Sequence, residues 1–390
     1  MKTHAPFPPT NSNTAKLIKG GKMYFDVLKE IIQKSKSSIF LQTYILKDDE
    51  TGKLIAEELI QAAKRNVKVF ILLDGFASGN LHESFINNFK SAGIELLFFK
   101  PVFKNNHIYY SRRLHHKVVV VDGRFSLIGG LNIANRYNEI NNHKAWLDFA
   151  VLLEGEASLQ VENYCKQVRL KTTKKEVKTN SEIINLYNVV SLDNQSNVKI
   201  RRNDWLMHLN EISSNYIEML RNAHHEVLIL CSYFIPGKVL RRSMANASRR
   251  GVKITVITAG QSDVPFTKQA ERWLYDWLLR NNIKIYEYQN NVLHGKLAVS
   301  DQTTVTIGSY NINNLSTYVC LELNAEIKNK LFAQNVQNTL LGIIEKECIE
   351  INSISHHHQK NWLNQFFRWC SYQLLRFVLL MFTVNLKREN

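Results

Sequence analysis

The chain has 390 residues, and 50 Lys and Arg against 34 Asp and Glu give it a formal net charge of +16. This length allows two or three domains with sizeable cores, and 45% hydrophobic with 22% charged residues excludes a disordered chain and a polytopic membrane protein. The five cysteines form no CxxC pair, which argues against a disulfide framework or a zinc ribbon. The N-terminal stretch has no apolar segment typical of a secretion signal. The net charge of +16 leads us to expect partners that carry negative charge, such as nucleic acid, phosphate esters or an anionic membrane.

The predicted elements repeat along the chain. Residues 27–75 read as helix, strand, helix and strand, with strands SIFLQTYIL and VKVFILLDG. Residues 213–260 repeat that order, with strands EVLILCSYFIP and VKITVITAG. Helical periodicity that alternates with short β-branched runs is typical of βαβ units on a largely parallel sheet. The near copies AAKRNVKVFILL and ASRRGVKITVIT indicate an internal duplication.

Composition divides the chain into four predicted segments. Residues 1–170 form a first α/β domain, residues 171–195 a polar, lysine-rich linker, and residues 196–350 a second α/β domain. Residues 351–390 form an apolar C-terminal tail.

The tail has an amphipathic, aromatic-rich pattern. Residues 361–386 carry only Arg368 and Arg376 as charges, and the longest uncharged run is Phe377–Leu386. That run is about half of the roughly 20 residues that a membrane span needs. The pattern therefore favours a helix that lies in the membrane interface, anchored by Trp and Arg. A core helix packed on the domain is the alternative interpretation.

Both halves carry the same polar motif. Lys follows His by two positions, Asp follows Lys by five, Gly follows Asp by seven, and Asn follows Gly by three. The motif residues are His115, Lys117, Asp122, Gly129 and Asn132 in the first half, and His294, Lys296, Asp301, Gly308 and Asn311 in the second. Two matches in equivalent positions of a duplicated chain are hard to explain by chance.

The motif suits a phosphate group. On a strand, a His and a Lys two positions apart point to the same face, so imidazole and ammonium can meet one phosphate. A Gly or Ser after the first Gly permits close backbone approach, and Asn supplies an amide donor. The predicted phosphate-binding residues are Asn132, Asn311, Gly130 and Ser309.

The doubled motif resembles the signature of the phospholipase D superfamily, HxKx4D twice per active site. The phrases NIANRY, SYFIP and LELNAEI are most similar to bacterial cardiolipin synthases of the short, peripheral type. The resemblance implies an α/β protein with two duplicated α/β/α sandwich domains, mixed and largely parallel sheets, and an active site at their interface. Superfamily nucleases usually carry one motif per chain and dimerise, so two motifs favour a catalytic unit formed by one chain.

The resemblance also implies a mechanism. One histidine attacks a phosphodiester phosphorus to give a phosphohistidine, and the other protonates the leaving alkoxide before acting as base for the incoming alcohol. We assign His115 as nucleophile and His294 as acid/base, although the nearly symmetric motifs leave the reverse assignment open. Lys117 and Lys296 would neutralise the phosphoryl oxygens with the two asparagines. No metal and no other cofactor is expected.

Four carboxylates complete the expected site. Asp122 and Asp301 belong to the catalytic motif, where they would hold its backbone and lysine. Asp148 follows His115 by 33 positions and Glu322 follows His294 by 28. By the resemblance, Asp148 and Glu322 would accept a hydrogen bond from each imidazole and fix its tautomer.

The expected function is that of a cardiolipin synthase, a phosphatidyltransferase that converts two phosphatidylglycerols into cardiolipin and glycerol. A phospholipase D-type hydrolase is the alternative, because the motifs do not distinguish water from a lipid alcohol as acceptor. A nuclease or phosphodiesterase acting on nucleic acid would suit the charge but not the fused motifs or the tail. The expected partners are phosphatidylglycerol and an anionic membrane surface, with no nucleic acid. The expected location is the cytoplasmic face of the cell membrane, where the tail holds the protein peripherally.

Overall fold

The computed structural model describes residues 5–100, 103–104, 107–108, 112–140, 142–173, 195–352 and 362–388. The elements of the first half are β1 (Asn13–Lys19), α1 (Lys22–Gln33), β2 (Ser38–Thr43), α2 (Glu50–Lys64), β3 (Lys68–Asp74), α3 (Glu83–Ser91), β4 (Glu95–Phe99), β5 (Phe103–Lys104), β6 (His107–Ile108), β7 (Arg113–Leu114), β8 (Lys117–Val121), β9 (Phe125–Gly129), β10 (Phe149–Gly155) and α4 (Glu156–Thr173). Those of the second half are β11 (Asn197–Asp204), β12 (Leu209–Asn210), α5 (Glu211–Asn222), β13 (Glu226–Cys231), α6 (Lys238–Arg249), β14 (Lys253–Ala259), α7 (Pro265–Arg272), α8 (Tyr275–Arg280), β15 (Lys284–Tyr288), β16 (Lys296–Ser300), β17 (Thr304–Gly308), α9 (Asn314–Tyr318), β18 (Cys320–Lys328), α10 (Lys330–Glu347), β19 (Cys348–Ile351) and α11 (Trp362–Arg388).

Each half is built around one sheet. The first has seven strands in the order β1-β10-β9-β8-β2-β3-β4, and the second contains the path β12-β11-β18-β17-β16-β13-β14-β15-β19. The strands that carry the two motifs, β8 and β16, are equivalent, because each pairs antiparallel with the first strand of its βαβ unit. The predicted duplication is therefore present in the topology as well as in the sequence.

The predicted mixed sheets are confirmed, but most neighbouring strands run antiparallel instead of parallel. Within the described first sheet, parallel pairing is confined to β2–β3 and β3–β4, which helical crossovers connect. The motif strands instead form hairpins, β8 with β9 and β16 with β17. The turns begin at Asp122 and Asp301, whose φ angles of 55° and 50° lie in the left-handed region. A short turn can only join antiparallel strands, which explains the difference.

The order of helices and strands in each βαβ unit agrees with the sequence pattern, and local chemistry explains one helix start. Asp49 caps α2 by accepting a hydrogen bond of 3.0 Å from the N–H of Gly52. A side chain at Gly52 could not be accommodated, because its Cβ would lie 1.6 Å from the carbonyl oxygen of Lys47. This tight turn brings the chain from β2 directly into the crossover helix.

A single hydrophobic core joins the two halves. It contains side chains from the first sheet, such as Phe149 and Val151, and from the second, such as Leu297 and Leu323, all fully or almost fully buried. On β2, Phe40 belongs to this core, whereas Ile39 and Leu41 on the opposite face pack with residues of α1 and α2 in a separate cluster. The two sheets thus face each other, which places the motif strands of both halves close together.

The predicted domain boundaries remain a prediction. The linker expected at residues 171–195 lies mostly outside the described residues, and its first residues still belong to α4, which ends at Thr173. The N-terminal segment also contacts the second half, since Thr10 forms a β-bridge with Val198.

The tail forms a long helix, α11, that packs on the second half. Tyr372 and Leu375 contact a small buried cluster of Ile235, Ala270 and Leu274. No described helix combines the length and the apolar character that crossing a membrane would require.

Candidate active site

Short stretches of backbone join the two halves next to both motif histidines. β7 pairs in parallel with the start of β18, so that Leu114 lies opposite Leu321. In the same way a parallel bridge places Leu147 opposite Leu293. The N–H groups of His115 and His294 donate to the carbonyl oxygens of Leu321 and Leu147 at 3.0 and 2.7 Å. The residues that follow these leucines are His115 and Glu322 at the first contact, and Asp148 and His294 at the second. Each histidine is therefore held beside an acidic residue of the other half.

The side chains that meet at these positions are the histidines and the carboxylates. His115 Nδ1 lies 2.8 Å from Glu322 Oε1, and His294 Nδ1 lies 2.6 Å from Asp148 Oδ2. Each carboxylate was located in the sequence by its spacing from the histidine of its own half, yet the structure pairs it with the histidine of the other half. With Nδ1 engaged, the second ring nitrogen, Nε2, is the one available for chemistry.

The two lysines lie close to the histidines that precede them. Lys117 and Lys296 are 3% and 1% exposed, and each ammonium group donates to the main-chain carbonyl of the histidine two residues earlier. Lys296 Nζ also lies 3.0 Å from His294 Nδ1. This proximity follows from the two-residue period of a strand. Neither lysine is among the described residues that line the cavity in front of the histidines.

Burial dominates the electrostatics of the site. It lowers the pKa of His294 to about 4 and that of Lys117 to about 7, and it also lowers the pKa of His115 and of Lys296. The carboxylates of Glu322 and Asp148 oppose these shifts but do not cancel them. Positive charge is therefore disfavoured in this structure, and a bound phosphodiester anion would restore it.

The two motif asparagines both line the cavity. Asn132 is engaged at both ends, because its Oδ1 accepts from the N–H of Ile45 and its Nδ2 donates to the hydroxyl of Tyr137. Asn311 Oδ1 accepts a hydrogen bond of 2.8 Å from the Ser232 hydroxyl, which fixes the orientation of the amide. Of the two, Asn311 is the better placed to direct its amide nitrogen at a substrate oxygen.

Gly130 and Ser309 contact the carboxylates instead of the cavity. A Cβ at Gly130 would lie 2.3 Å from Asp148 Oδ1, so only glycine leaves room for that carboxylate. Ser309 is fully buried, and its hydroxyl donates to Glu322 Oε2 at 2.5 Å. The close approach that these two residues permit is therefore made by a protein carboxylate, and their expected contact with the substrate phosphate stays a prediction.

Asp122 and Asp301 lie at the far end of the motif strands from the histidines. Asp122 accepts from the N–H groups of Lys36, Ser37 and Ser38, at the junction of α1 with β2. Asp301 accepts from the N–H groups of three residues at the equivalent junction, His224, His225 and Glu226.

The membership of both aspartates in the catalytic set stays a prediction, and these contacts show what each of them holds. They do hold backbone, as expected, but of the preceding βαβ unit, and no hydrogen bond or ion pair links either one to its motif lysine within the described residues. Asp122 lies five residues along the chain from Lys117, a distance of roughly 16 Å on an extended strand. The two aspartates thus join each motif strand to the preceding βαβ unit, and neither is among the described residues that line the cavity.

Aromatic side chains that the motif does not predict surround both imidazoles. The Tyr44 ring packs on His115 with centroids 5.0 Å apart, and the Tyr137 ring packs on His294 at 5.2 Å. Trp146 lies near His294 on the same side, at 6.0 Å. Tyr44 directly follows β2, whereas Ser232 directly follows β13 and Tyr233 comes one residue later.

One group of side chains near His115 has the composition of a metal site. His115, Cys320 and Glu322 place one potential ligand atom each within 4.8 Å of one another. Burial raises the pKa of Cys320 well above its usual range, so the thiol remains protonated and is a weak ligand. The 2.8 Å contact between His115 and Glu322 is a hydrogen bond, and Lys117 Nζ donates to the main-chain carbonyl of the same histidine. These residues therefore fit a hydrogen-bonded pair better than a metal.

Both histidines line one cavity of about 800 Å³.

The sequence model of the family described as "Cardiolipin synthase, PLD-like domain" matches residues 28–167 and 216–343, one match for each half. The chain belongs to this family. The family and the duplicated fold predicted from the doubled motif are thereby confirmed.

Named relatives agree with this family. Cardiolipin synthase B of Salmonella typhi is 32% identical over 361 residues, which cover 90% of this chain and 85% of the relative. Cardiolipin synthase B of Escherichia coli K12 is 31% identical over 347 residues, covering 87% and 82%.

Solved structures support the same fold. The phosphatidylserine synthase of Haemophilus influenzae Rd KW20 superposes with a TM-score of 0.70 at 14% identity, covering 94% of this chain and 93% of that one. The polyphosphate kinase of Porphyromonas gingivalis gives a TM-score of 0.59 at 14% identity, covering 94% of this chain and 53% of that one. At such low identity these two likenesses show the fold alone.

The role of Asp122 can be tested by replacing it with alanine. We expect Asp122→Ala to lose about 1–3 kcal/mol of unfolding free energy, because the N–H groups of Ser37 and Ser38 lose a charged acceptor. The variant that still folds should keep nearly the wild-type turnover, since Asp122 does not reach the cavity. Denaturant unfolding and turnover per folded molecule measure the two effects. Loss of turnover with unchanged stability would instead show a catalytic role for Asp122.

The cost of burying Lys117 predicts a pH-dependent stability. Its pKa of about 7 lies below the ordinary value of 10.5, so the protonated side chain destabilises the folded state fully below about pH 7, and this penalty disappears as the pH rises toward the unfolded pKa. We expect Lys117→Met to raise the Tm more at about pH 6 than at about pH 9. Lys68→Met, at an exposed position of β3, is the control and should show no such trend. An equal Tm change at both pH values would contradict the burial penalty.

Proposed function

We propose that the protein is a cardiolipin synthase that transfers a phosphatidyl group from one phosphatidylglycerol to another, through a phosphohistidine, with release of glycerol. The observation that carries this proposal is the presence of both histidines in one cavity, each hydrogen-bonded to a carboxylate of the other half. Membership of the family and the relatives named cardiolipin synthase B support the choice of reaction. No cofactor is invoked in this reaction.

In the first step Nε2 of His115 attacks the phosphorus of the donor lipid. The bond from phosphorus to the headgroup glycerol oxygen breaks, and His294 gives its proton to that oxygen, so that glycerol leaves. Glu322 holds the His115 ring through Nδ1 and stabilises the positive charge that develops on it. The product of this step is a phosphatidyl group bound to His115.

In the second step the acceptor lipid takes the place of glycerol. A headgroup hydroxyl of the second phosphatidylglycerol gives its proton to Nε2 of His294, and its oxygen attacks phosphorus. The bond from phosphorus to His115 breaks, and cardiolipin is released. Asp148 orients His294 in both steps, because its carboxylate stays on Nδ1. The sum of the two steps is two phosphatidylglycerols to one cardiolipin and one glycerol.

Charge stabilisation would come from the lysines and from Asn311. Lys117 and Lys296 place ammonium groups next to the histidine backbone, in a buried environment where an interaction with a phosphoryl anion is stronger than in water. The amide of Asn311 faces the same cavity, held by Ser232. The anion in turn raises the pKa values that burial has lowered, which allows His294 to hold the proton that it must donate.

A phospholipase D-type hydrolase is the alternative, since water in place of the second lipid would give phosphatidic acid. The family and its named relatives favour transfer. Incubation of the purified protein with phosphatidylglycerol, in excess chelator, and mass analysis of the lipids separates the two. Cardiolipin and glycerol are expected, whereas phosphatidic acid alone would establish the hydrolase.

The roles of the two histidines can be separated with a donor that needs no general acid, a phosphatidyl ester of nitrophenol. We expect His294→Ala to release about one nitrophenol per active site and then to stop, because the intermediate on His115 lacks its base. His115→Ala should release none. Rapid mixing with optical detection measures the release, and mass analysis of the stalled variant should locate the phosphatidyl group on His115. A single burst in His115→Ala with the label on His294 would reverse the assignment.

We also propose that α11 holds the protein on the membrane that contains its substrate. One side of α11 faces the protein, where Arg368 and Ser371 are buried. The other side exposes large apolar side chains, among them Trp362 at 74%, Phe366 at 58% and Phe377 at 57% exposure. Each such side chain contributes about 1.5–3 kcal/mol when fully buried, so insertion into the bilayer interface would stabilise binding.

The same helix borders the catalytic cavity. Tyr372, Leu375 and Arg376 line it together with the histidines. A membrane bound to the outer side of α11 would therefore lie close to the cavity, which suits substrates that remain embedded in the bilayer.

Replacement of the exposed apolar side chains tests the membrane proposal. We expect the triple variant Trp362→Ser, Phe366→Ser, Phe377→Ser to bind vesicles that contain phosphatidylglycerol at least about 10-fold more weakly, at an unchanged Tm, since these side chains are exposed. Leu331→Ser is the control. Leu331 lies on α10 instead of α11, and its exposure of 65% is similar to that of the three replaced side chains. Co-sedimentation with vesicles measures the binding. Unchanged sedimentation of the triple variant would contradict the proposal.

A further inference from the structure

The catalytic cavity is larger than one phosphodiester requires. Its volume of about 800 Å³ lies in the upper part of the range for small-molecule sites, about 300–1,000 Å³. The reaction proposed above needs two lipid headgroups in this cavity, one as donor and one as acceptor. The surroundings of the two histidines show how the site can tell them apart.

The chemistry of the two halves is nearly symmetric, but the surroundings of the two histidines are not. On the side of His294, Arg136 and Tyr137 follow the motif asparagine by four and five positions. The equivalent positions of the second half are Leu315 and Ser316. At these two positions, therefore, the first half supplies a guanidinium and a phenol to the cavity, whereas the second half supplies an apolar side chain and a small hydroxyl.

Arg136 lies against aromatic rings next to His294. Its guanidinium is 4.7 Å from the Trp146 ring centroid and 5.4 Å from that of Tyr137, and both rings pack on His294. Its Nε is buried and has no hydrogen-bond partner within the described residues. A buried donor without a partner is costly, and a ligand phosphate in the cavity would satisfy it.

Asp263 is the one carboxylate among the described residues that line the cavity. It lies exposed at the cavity wall, where the hydroxyl of Tyr233 donates to its Oδ1 and holds it in place. Within the described part of the chain it forms no ion pair and accepts no other hydrogen bond, although Arg136 lines the same cavity. A carboxylate held in this way suits a ligand that donates hydrogen bonds, such as an alcohol.

Asp263 lines the same cavity as Arg136, Tyr137, Tyr233 and His294. Burial raises the pKa of Tyr137, and both Arg136 and Asp263 act on the same hydroxyl. Burial likewise raises the pKa of Tyr233, on which Asp263, Tyr137 and Arg136 all act. The carboxylate, the guanidinium and the two tyrosines thus share the wall of the cavity with His294, and the Tyr233 hydroxyl contacts Asp263 directly.

We propose that Asp263 and Arg136 form an acceptor subsite beside His294, in which Asp263 binds a headgroup hydroxyl and Arg136 binds the phosphate of the second phosphatidylglycerol. This inference rests on the proposed function. The headgroup glycerol has two free hydroxyls. One donates a hydrogen bond to Asp263, while the other gives its proton to His294 as its oxygen bonds to phosphorus and the bond to His115 breaks. By holding the diol, Asp263 favours transfer to a lipid over transfer to water.

The test is the ratio of cardiolipin to phosphatidic acid formed from phosphatidylglycerol vesicles. We expect Asp263→Asn to lower this ratio about 10-fold, as for the loss of one charged hydrogen bond in the transfer step. The nitrophenol burst with the activated donor should stay at the wild-type level, because formation of the phosphohistidine does not involve the acceptor. Asp26→Asn, which removes an exposed carboxylate on α1, is the charge-matched control and should leave the ratio unchanged.

A second measurement uses soluble alcohols in place of the acceptor lipid. With the activated donor, wild-type protein should transfer the phosphatidyl group to glycerol about 10-fold better than to 1-propanol, and Asp263→Asn should lose this preference. An unchanged lipid ratio together with an unchanged alcohol preference would overturn the subsite, and so would loss of the burst. If wild-type protein forms no cardiolipin at all, the proposed function fails instead. Failure of the proposed function is therefore seen in the wild-type protein, whereas failure of the subsite is seen only when Asp263→Asn is compared with it.

Discussion

The active site depends on two hydrogen bonds that cross between the halves of the chain. His115 is held by Glu322, and His294 is held by Asp148. Each half supplies the histidine of one pair and the carboxylate of the other, and parallel backbone contacts beside Leu321 and Leu147 fix both pairs in the same way. Neither half alone can orient an imidazole. The two copies of the motif therefore form one shared site instead of two separate sites.

The rest of the fold supports this arrangement energetically. Ionisable groups such as Lys117 and Lys296 are almost fully removed from water, which is unfavourable unless their charges are compensated. The core shared by both sheets, with side chains such as Phe149 and Leu323, holds the halves together. Part of that stability offsets the burial of charge, and a phosphodiester anion would supply the missing compensation. The site is thus prepared for an anionic substrate before the substrate arrives.

The sequence was sufficient to predict the duplicated fold, because each motif repeats with identical spacing and each βαβ unit shows its own periodicity. It could not predict that His115 meets Glu322, because spacing along the chain measures position within one half, whereas the register of β7 on β18 is a tertiary contact. Small residues at Gly130 and Ser309 permit close approach and so predict a phosphate contact, but the sequence does not show that a protein carboxylate also approaches there. The aromatic rings around the imidazoles, such as Tyr44, belong to segments distant from the motif.

The crossing of the two pairs is the central claim, and the nitrophenol burst from the activated phosphatidyl donor tests it most directly in two further variants. If the pairs cross, Asp148→Asn must behave like His294→Ala and Glu322→Gln like His115→Ala, whichever histidine is the nucleophile. We therefore predict a burst followed by a stall in Asp148→Asn and no burst in Glu322→Gln. The opposite result, in which each carboxylate variant follows the histidine of its own half, would contradict the account.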